Sequence, residues 1–431
     1  MRRAPAISGL AWLIVAATAP PAAAQQAAMD RLTFDEAIER AVTRNPTIEQ
    51  AAAGILRAEA LLQQVRSLSL PTLDATLTTR TIGPVQKFAG ESINPRTQLT
   101  TSAVLGVPLL RPARWALRAQ ARDQVLVAQR SAADARREIA VAAAQAYLAI
   151  ITQRRVAELN ERARDNARAH FDDAHQRYEG GLGSRLNALR AQQELSADEA
   201  RVEDARLAVR RAQEALGVLV AGDGPVDAAA EPAFDIPADV IAPAGAPAPP
   251  AIGSRPDVRL AEARIAAAER VVADSWKDYL PELTGVVSPQ LLTPSGLFFP
   301  TRSWSAALIF SAPVLEFGER RGLKRERQAR LDIARADRTG VERQARAELR
   351  AAIEAVRSTE RALERTRAAA EQANEVVRIT VIAFRAGATT NIEVIDAQRG
   401  ARDAETAAAI AEDALRRARL ELLVALGRFP R

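Results

Sequence analysis

Residues far apart in this sequence match one another at a nearly constant spacing, which restricts the chain to architectures made of two copies of one plan. Arg44-Asn45-Pro46 pairs with Ser254-Arg255-Pro256, and Leu70-Pro71 with Leu280-Pro281, both at an offset of 210. Pro108 and Pro313 lie 205 apart, so the segment between the paired prolines is five residues longer in the first copy. Tyr178, Gly181, Ala191 and Gln192 match Phe384, Gly387, Ala397 and Gln398, all at 206. Chance similarity in an Ala-rich chain does not give residue-for-residue matches at one offset. Residues 221–253 join the copies. Prolines at 225, 232, 237, 243, 247, 249 and 250 exclude a helix there and predict an extended connector.

Each copy contains a long apolar seam. Ala121, Val125, Ala128, Ala132, Ala135, Ile139, Ala142, Ala146 and Ala149 alternate in steps of four and three, the heptad signature of a left-handed coiled coil. Leu349, Val356, Leu363, Ala370, Val377 and Phe384 recur every seven residues in the second copy. The spacing predicts long helices over about 114–178 and 316–384, rods of about 95 Å. Glycine turns end both. Return helices are expected over 185–220 (Ala188, Leu195, Val202, Val209, Leu216) and 391–426 (Val394, Ala401, Ala408, Leu415, Leu422). Shorter helices precede the prolines, over about 47–70 and 257–279. The short helices together nearly equal a long one, so two can stack end to end beside each rod.

Between the prolines the period changes to two. Leu73, Ala75 and Leu77 alternate with Asp74, Thr76, Thr78 and Arg80; Leu99, Ala103, Leu105 and Val107 alternate with Gln98, Thr100 and Ser102. The second copy sets Leu283 and Val287 against Glu282, Thr284 and Ser288, then Trp304, Ala306, Leu308 and Phe310 against Ser303, Ser305 and Ser311. Hairpins are therefore expected over about 71–108 and 281–313, each strand with one lipid face and one polar face. Trp115, Trp276, Tyr279, Phe298, Phe299 and Trp304 sit near strand ends, where interfacial aromatics belong. Soluble hairpins with one buried face are the plainer reading of the same pattern.

Arg2 and Arg3, the apolar run Ile7–Ala17 and Ala22-Ala23-Ala24 read as a secretory signal, residues 1–24, cut before Gln25. The run is too short to span a membrane as a helix. The first repeat then covers 25–220 and the second 254–431. Four strands cannot close a membrane barrel and open edges are not tolerated in lipid, so several chains must share one. The expected fold is mainly α with transmembrane β: a membrane pore extended by a helical tube.

The segment from Leu32-Thr33-Phe34-Asp35-Glu36-Ala37-Ile38 to Arg44-Asn45-Pro46 resembles the TolC-like outer-membrane efflux protein family. So do Ser254-Arg255-Pro256-Asp257-Val258 with Ala261-Glu262-Ala263, the tips Gly181-Leu182 and Phe384-Arg385-Ala386-Gly387, and Glu393-Val394-Ile395-Asp396-Ala397-Gln398. The resemblance covers essentially the whole chain beyond the signal. It implies a homotrimer with a 12-strand outer-membrane barrel and a 12-helix periplasmic tunnel. It also implies docking to a periplasmic adaptor (membrane fusion) protein and an inner-membrane pump or ABC transporter, as in tripartite efflux and type I secretion. Cargo in the family ranges from drugs and metals to secreted proteins. Many relatives carry an acyl anchor on an N-terminal Cys; this chain has no Cys and resembles the unlipidated branch.

Small residues at the glycine turns let another helical tip approach closely, which makes Gly181, Leu182, Gly387 and Ala388 candidates for adaptor contact. Glu393 and Asp396, three apart, share a helix face, and in the family acids at these positions line the periplasmic constriction. Thr390 with Glu393 also spells a capping box. The first copy has Asn187 and Arg190 at the matching positions, and Arg190 is a candidate partner for Asp396 across neighbouring hairpins.

Other chemistry is thinly supported. The absence of Cys removes disulfides and thiol catalysis, and there are only two histidines. His170 and His175 lie about 140° apart on a helix, so they share no metal-binding face and read as part of a solvated surface. No phosphate loop, nucleophile elbow or paired-acid motif appears, and no enzyme activity or cofactor is expected. The basic run Arg320, Arg321, Lys324, Arg325 and Arg327 is interleaved with Glu319 and Glu326, which suits a solvated face or tunnel lining better than nucleic acid. The net charge of +6 is modest. A periplasmic coiled-coil scaffold would explain the heptads but not the strands.

Overall fold

The computed structural model describes residues 29–236, 252–298 and 300–429. The signal segment 1–24, much of the proline-rich connector and Phe299 lie outside the described residues. The first copy comprises β1 (Asp30–Leu32), α1 (Phe34–Arg44), α2 (Pro46–Ser67), β2 (Thr72–Thr81), the short strands β3 (Lys87–Phe88) and β4 (Glu91–Ser92), β5 (Thr97–Leu110), α3 (Pro112–Glu179) and α4 (Arg185–Leu219). After β6 (Val226–Ala228), the second comprises α5 (Pro256–Ala273), a 3-10 turn (Asp274–Tyr279), β7 (Glu282–Thr293), β8 (Arg302–Ser311), α6 (Glu319–Arg385) and α7 (Asn391–Ala425).

Local chemistry sets the helix starts. Thr33 and Glu36 form a reciprocal capping box on α1. Asn45 ends α1 and begins α2: its Oδ1 accepts from the Thr47 N–H (2.9 Å), and its Nδ2 donates to the Leu219 carbonyl (2.9 Å), tying in the far end of α4. Pro46, Pro112 and Pro256 occupy first-turn positions, where a missing N–H costs nothing. Where the first copy uses Asn45, the second uses Arg255, a buried guanidinium held by Asp257 (2.7 Å) and Glu348 (2.8 Å).

α3 and α6 have 68 and 67 residues, so each runs for about 100 Å. Toward the sheet, α2 packs on α3, α3 on α5 and α5 on α6; toward the turns, α4 packs on α3 and α7 on α6, with α7 against α3 and α4. The protomer is thus a layer with α2 and α4 along one edge and α6 along the other.

Four features differ from the sequence reading. The connector is not simply extended: β6 pairs in parallel with β1 and is buried, and Asp227 at its centre receives Arg154, Arg31 (3.4 Å) and Gln213 (3.0 Å). This belt surrounds the middle of α3, where Ala140, Ala143, Ala144, Tyr147, Leu148 and Ile151 are buried; the heptad positions Ala142, Ala146 and Ala149 are only half-buried. A helix wrapped on several sides no longer has one seam. Tyr147 Oη donates to the Ala230 carbonyl (2.8 Å), clamping the belt. Finally, β5 continues past Pro108 to Leu110 with a register shift there, and α6 begins at Glu319 rather than 316, after an extended stretch that ends at Gly318 with φ +105°.

Candidate functional site

The four long strands form one antiparallel sheet in the order β2-β5-β7-β8, so the two hairpins are joined through β5 and β7. Its register places Leu73, Leu105, Val287 and Ala306 in one row, and Leu308, Gly285 and Val107 in the next. Leu77, Trp304 and Phe310 share that face, and Leu73, Leu77, Trp304, Leu308 and Phe310 are each about two-thirds exposed or more. The opposite face presents Thr76, Thr78, Thr100, Ser102, Ser288, Ser303 and Ser305. Side chains of about 150 Å² or more left in water forgo a few kcal/mol each, so this apolar face calls for an apolar surrounding, such as lipid. Among the described residues no helix is long and apolar enough to cross a membrane. At the base of the polar face, Arg111 donates to Thr284 Oγ1 (3.0 Å) and pairs with Glu282 (3.4 Å), linking the copies.

At the other end of the rods the two turns are built alike. Gly181 (φ +73°) and Gly387 (φ +77°) are left-handed. The Leu182 N–H bonds the Arg177 carbonyl and the Ala388 N–H the Ala383 carbonyl, both at 2.8 Å, as in a Schellman cap. Leu182 is 88% exposed, and Gly181, Gly387 and Ala388 are exposed beside it. Ser184 caps α4 by accepting from the Asn187 N–H (3.3 Å). The capping box read from Thr390 and Glu393 does not form: Thr390 stands at the N-cap of α7 without a side-chain bond. Glu393 is therefore an exposed acid with no capping role. Asp396 is also exposed and lies 3.9 Å from Arg399, on its own helix. Arg190 is exposed and makes no ion pair with Asp396 inside the protomer, among the described residues.

His170 is not part of a solvated face. Its Nε2 lies 2.6 Å from Asn391 Oδ1, and Asn391 Nδ2 donates to the Asn187 carbonyl (3.3 Å). With its amide committed as donor, the buried Asn391 accepts from the imidazole N–H. The ring also meets Phe384 edge-on at 5.6 Å, and the Arg177 guanidinium covers Phe384 at 4.9 Å. Burial pushes the His170 pKa below its ordinary value, against the opposing bond to Asn391. His175 instead stacks on Phe171 and pairs with Glu179 (3.3 Å).

Farther up the hairpins, Glu194 and Asp198 on α4 are both buried. Arg402 on α7 reaches Asp198 at 2.7 Å and Glu194 at 3.4 Å, Arg399 contacts Glu194, and Arg201 adds a bond to Asp198 (2.5 Å). Burial alone would raise the Glu194 pKa; the bond from Arg399 and the charges of Arg399, Arg201 and Arg402 outweigh it and hold the carboxyl below its ordinary value. Seam spacing does not reveal this network. Its signal is complementary charge at nearly repeat-equivalent positions, acids on α4 and arginines on α7.

A sheet with a lipid face, carried on periplasmic helical rods, defines a subunit of an outer-membrane channel. The chain belongs to the outer membrane efflux protein family, whose pattern matches residues 37–222 and 249–428. It is 28% identical over 376 residues to the outer membrane protein OprJ of Pseudomonas aeruginosa, covering 84% of this chain and 77% of that protein. Its fold is similar to VceC of Vibrio cholerae (TM-score 0.75, 17% identity, 91% of this chain and 96% of that one). It is also similar to the open state of the Neisseria gonorrhoeae MtrE channel (TM-score 0.74, 18% identity, 91% and 88%).

Proposed function

We propose that three copies of this chain close a 12-strand barrel and a 12-helix tunnel, forming an efflux duct across the periplasm and outer membrane. The observation that carries this is the sheet itself: among the described residues, β2 and β8 each leave an edge unpaired beside an apolar exposed face. Pairing β8 of one copy with β2 of the next satisfies both edges, and α6 then meets the neighbour's α2 and α4. A periplasmic scaffold would have no use for the lipid face. Native mass spectrometry in detergent tests the count; a stable folded monomer in membranes would refute the closure.

The duct receives cargo from a periplasmic adaptor and an inner-membrane pump or ABC transporter. The exposed turns, with Gly181, Leu182, Gly387 and Ala388, are the docking points. Leu182→Asp or Ala388→Asp is expected to abolish export while trimers still assemble; normal export from both would remove the turns from the interface.

Glu393 and Asp396 ring the periplasmic entrance in the trimer and give it a cation preference. Arg190, next to Asn187 on α4, pairs with Asp396 between copies and holds the resting entrance narrow. In planar bilayers, Asp396→Asn is expected to weaken cation preference and Arg190→Ala to raise conductance. If neither quantity moves, the constriction lies elsewhere.

A further inference from the structure

The outer end of the sheet lines a half-open cavity of about 400 Å³ whose polar wall includes Arg80, Gln98, Thr100, Gln290 and Ser303. All five belong to the polar face: Arg80 stands opposite Gln98, Thr78 opposite Thr100, and Gln290 opposite Ser303. Every strand of the sheet thus contributes from one side. The two loops fold over the same space, with Asn94 from the first and Pro300 from the second. They are tied down there. The Ile82 N–H bonds the Arg96 carbonyl (2.9 Å), the Leu297 N–H bonds the Ile93 carbonyl (3.1 Å), and Gln98 Nε2 donates to the Pro294 carbonyl (3.2 Å). The Phe88 and Phe298 rings meet at 6.2 Å, joining the loops a second time.

Among the described residues the charge in this space is one-sided: no Asp or Glu lines the cavity. Arg80 has neither a hydrogen bond nor an ion pair among the described residues, whereas Arg111 at the other end of the same face is committed to Thr284 and Glu282. The acids of the polar face, Asp74 and Glu282, lie at the periplasmic ends of their strands; Asp74 is six residues from Arg80, about 20 Å along β2. An uncommitted guanidinium offers five donors in a planar fork, and the amides of Asn94 and Gln290 can add N–H groups. That donor set suits a carboxylate, which accepts two parallel bonds from such a fork.

We propose that this cavity is an anion subsite at the outer mouth of the duct, taking a carboxylate-bearing small molecule as it leaves. The proposal rests on the barrel reading above, which puts the polar face of the sheet in the lumen. Citrate is a suitable probe, added to the outer side of the full-length protein in planar bilayers. Wild type is expected to be blocked at roughly tenfold lower citrate than Arg80→Gln, the loss of one charge-assisted bidentate contact. Arg302→Gln serves as the control, because Arg302 is in register with Leu291 on the apolar face at the same rim. It is expected to leave the block unchanged. Equal block in wild type and Arg80→Gln overturns the subsite, as does equal weakening by Arg302→Gln, which would make the attraction a general rim charge. If Arg80→Gln fails to assemble, Arg80→Lys, which keeps the charge and loses the fork, is measured with the same expectation. A wild-type protein that forms no channel overturns the barrel reading itself.

Discussion

His170 joins three of the four helices that meet at the tip: it sits on α3, bonds Asn391 at the start of α7, and through that amide reaches the Asn187 carbonyl on α4. Phe384 on α6 closes the remaining side, while Asp173 and Arg177 are the charged groups facing the ring from its own helix. Burial disfavours the imidazolium, so the assembled junction binds a proton less readily than a separated one. The sign follows by linkage: the contribution is fully present above the ordinary His value of 6.5 and is lost as pH falls below it through the lowered value of the assembled tip. Acidification from pH 7.5 to 5.5 is therefore expected to loosen the tip and raise single-channel conductance. His170→Gln, which keeps a donor for Asn391 and cannot titrate, is expected to show a flatter response over that range. An unchanged pH response in this variant would remove His170 as the titrating group. Sequence reasoning missed this side chain because helical spacing tells which way a residue points on its own helix. It does not tell what another hairpin, more than 200 residues away, brings against it.

The two helical hairpins of the protomer are held together by a charged network in which both acids are buried. Arg402 serves Glu194 and Asp198 at once, so Arg402→Ala leaves the two buried carboxylates with only the more exposed Arg399 and Arg201 as partners, at a cost of about 2–3 kcal/mol. Denaturant unfolding of Arg402→Ala against Arg402→Lys measures this; a loss below about 1 kcal/mol in the alanine variant would mean that water replaces the guanidinium. What could be read from sequence at this scale followed from periodicity. Leu349, Val356, Leu363 and Ala370 are seven apart and all buried, because α6 lies at the edge of the layer and presents one side to its neighbours. The alternation in the strands likewise matches the faces of the sheet, since pleating allows only two directions. The middle of α3 broke the pattern because the β1–β6 belt covers a second side of it. β6 itself was illegible: a three-residue strand in a proline-rich stretch carries no period, and only β1, nearly 200 residues earlier, gives it a partner.

At the scale of the whole molecule, the protomer is incomplete at both ends of each layer: among the described residues β2 and β8 lack partners at the sheet edges, and α6 lies along the helical edge opposite α2 and α4. Both deficiencies have the same rotational sense, first-copy elements on one side and second-copy elements on the other, so head-to-tail assembly can repair them together and end in a closed ring. Closure also assigns the faces, apolar outward and hydroxyl-rich inward, and that assignment can be tested with two adjacent residues. Leu308 and Ala307 sit side by side on β8 in register with Gly285 and Val286, and point to opposite faces. An arginine on the lipid side near mid-bilayer costs about 2–4 kcal/mol, whereas one facing a water-filled lumen keeps its hydration. Leu308→Arg is therefore expected to cut the yield of heat-modifiable trimers on unheated SDS gels severely, while Ala307→Arg assembles and shifts ion selectivity toward anions. Equal assembly of both variants would mean that the sheet has no lipid face. The reverse order, with Ala307→Arg the damaging change, would mean that the barrel is inside out relative to this assignment.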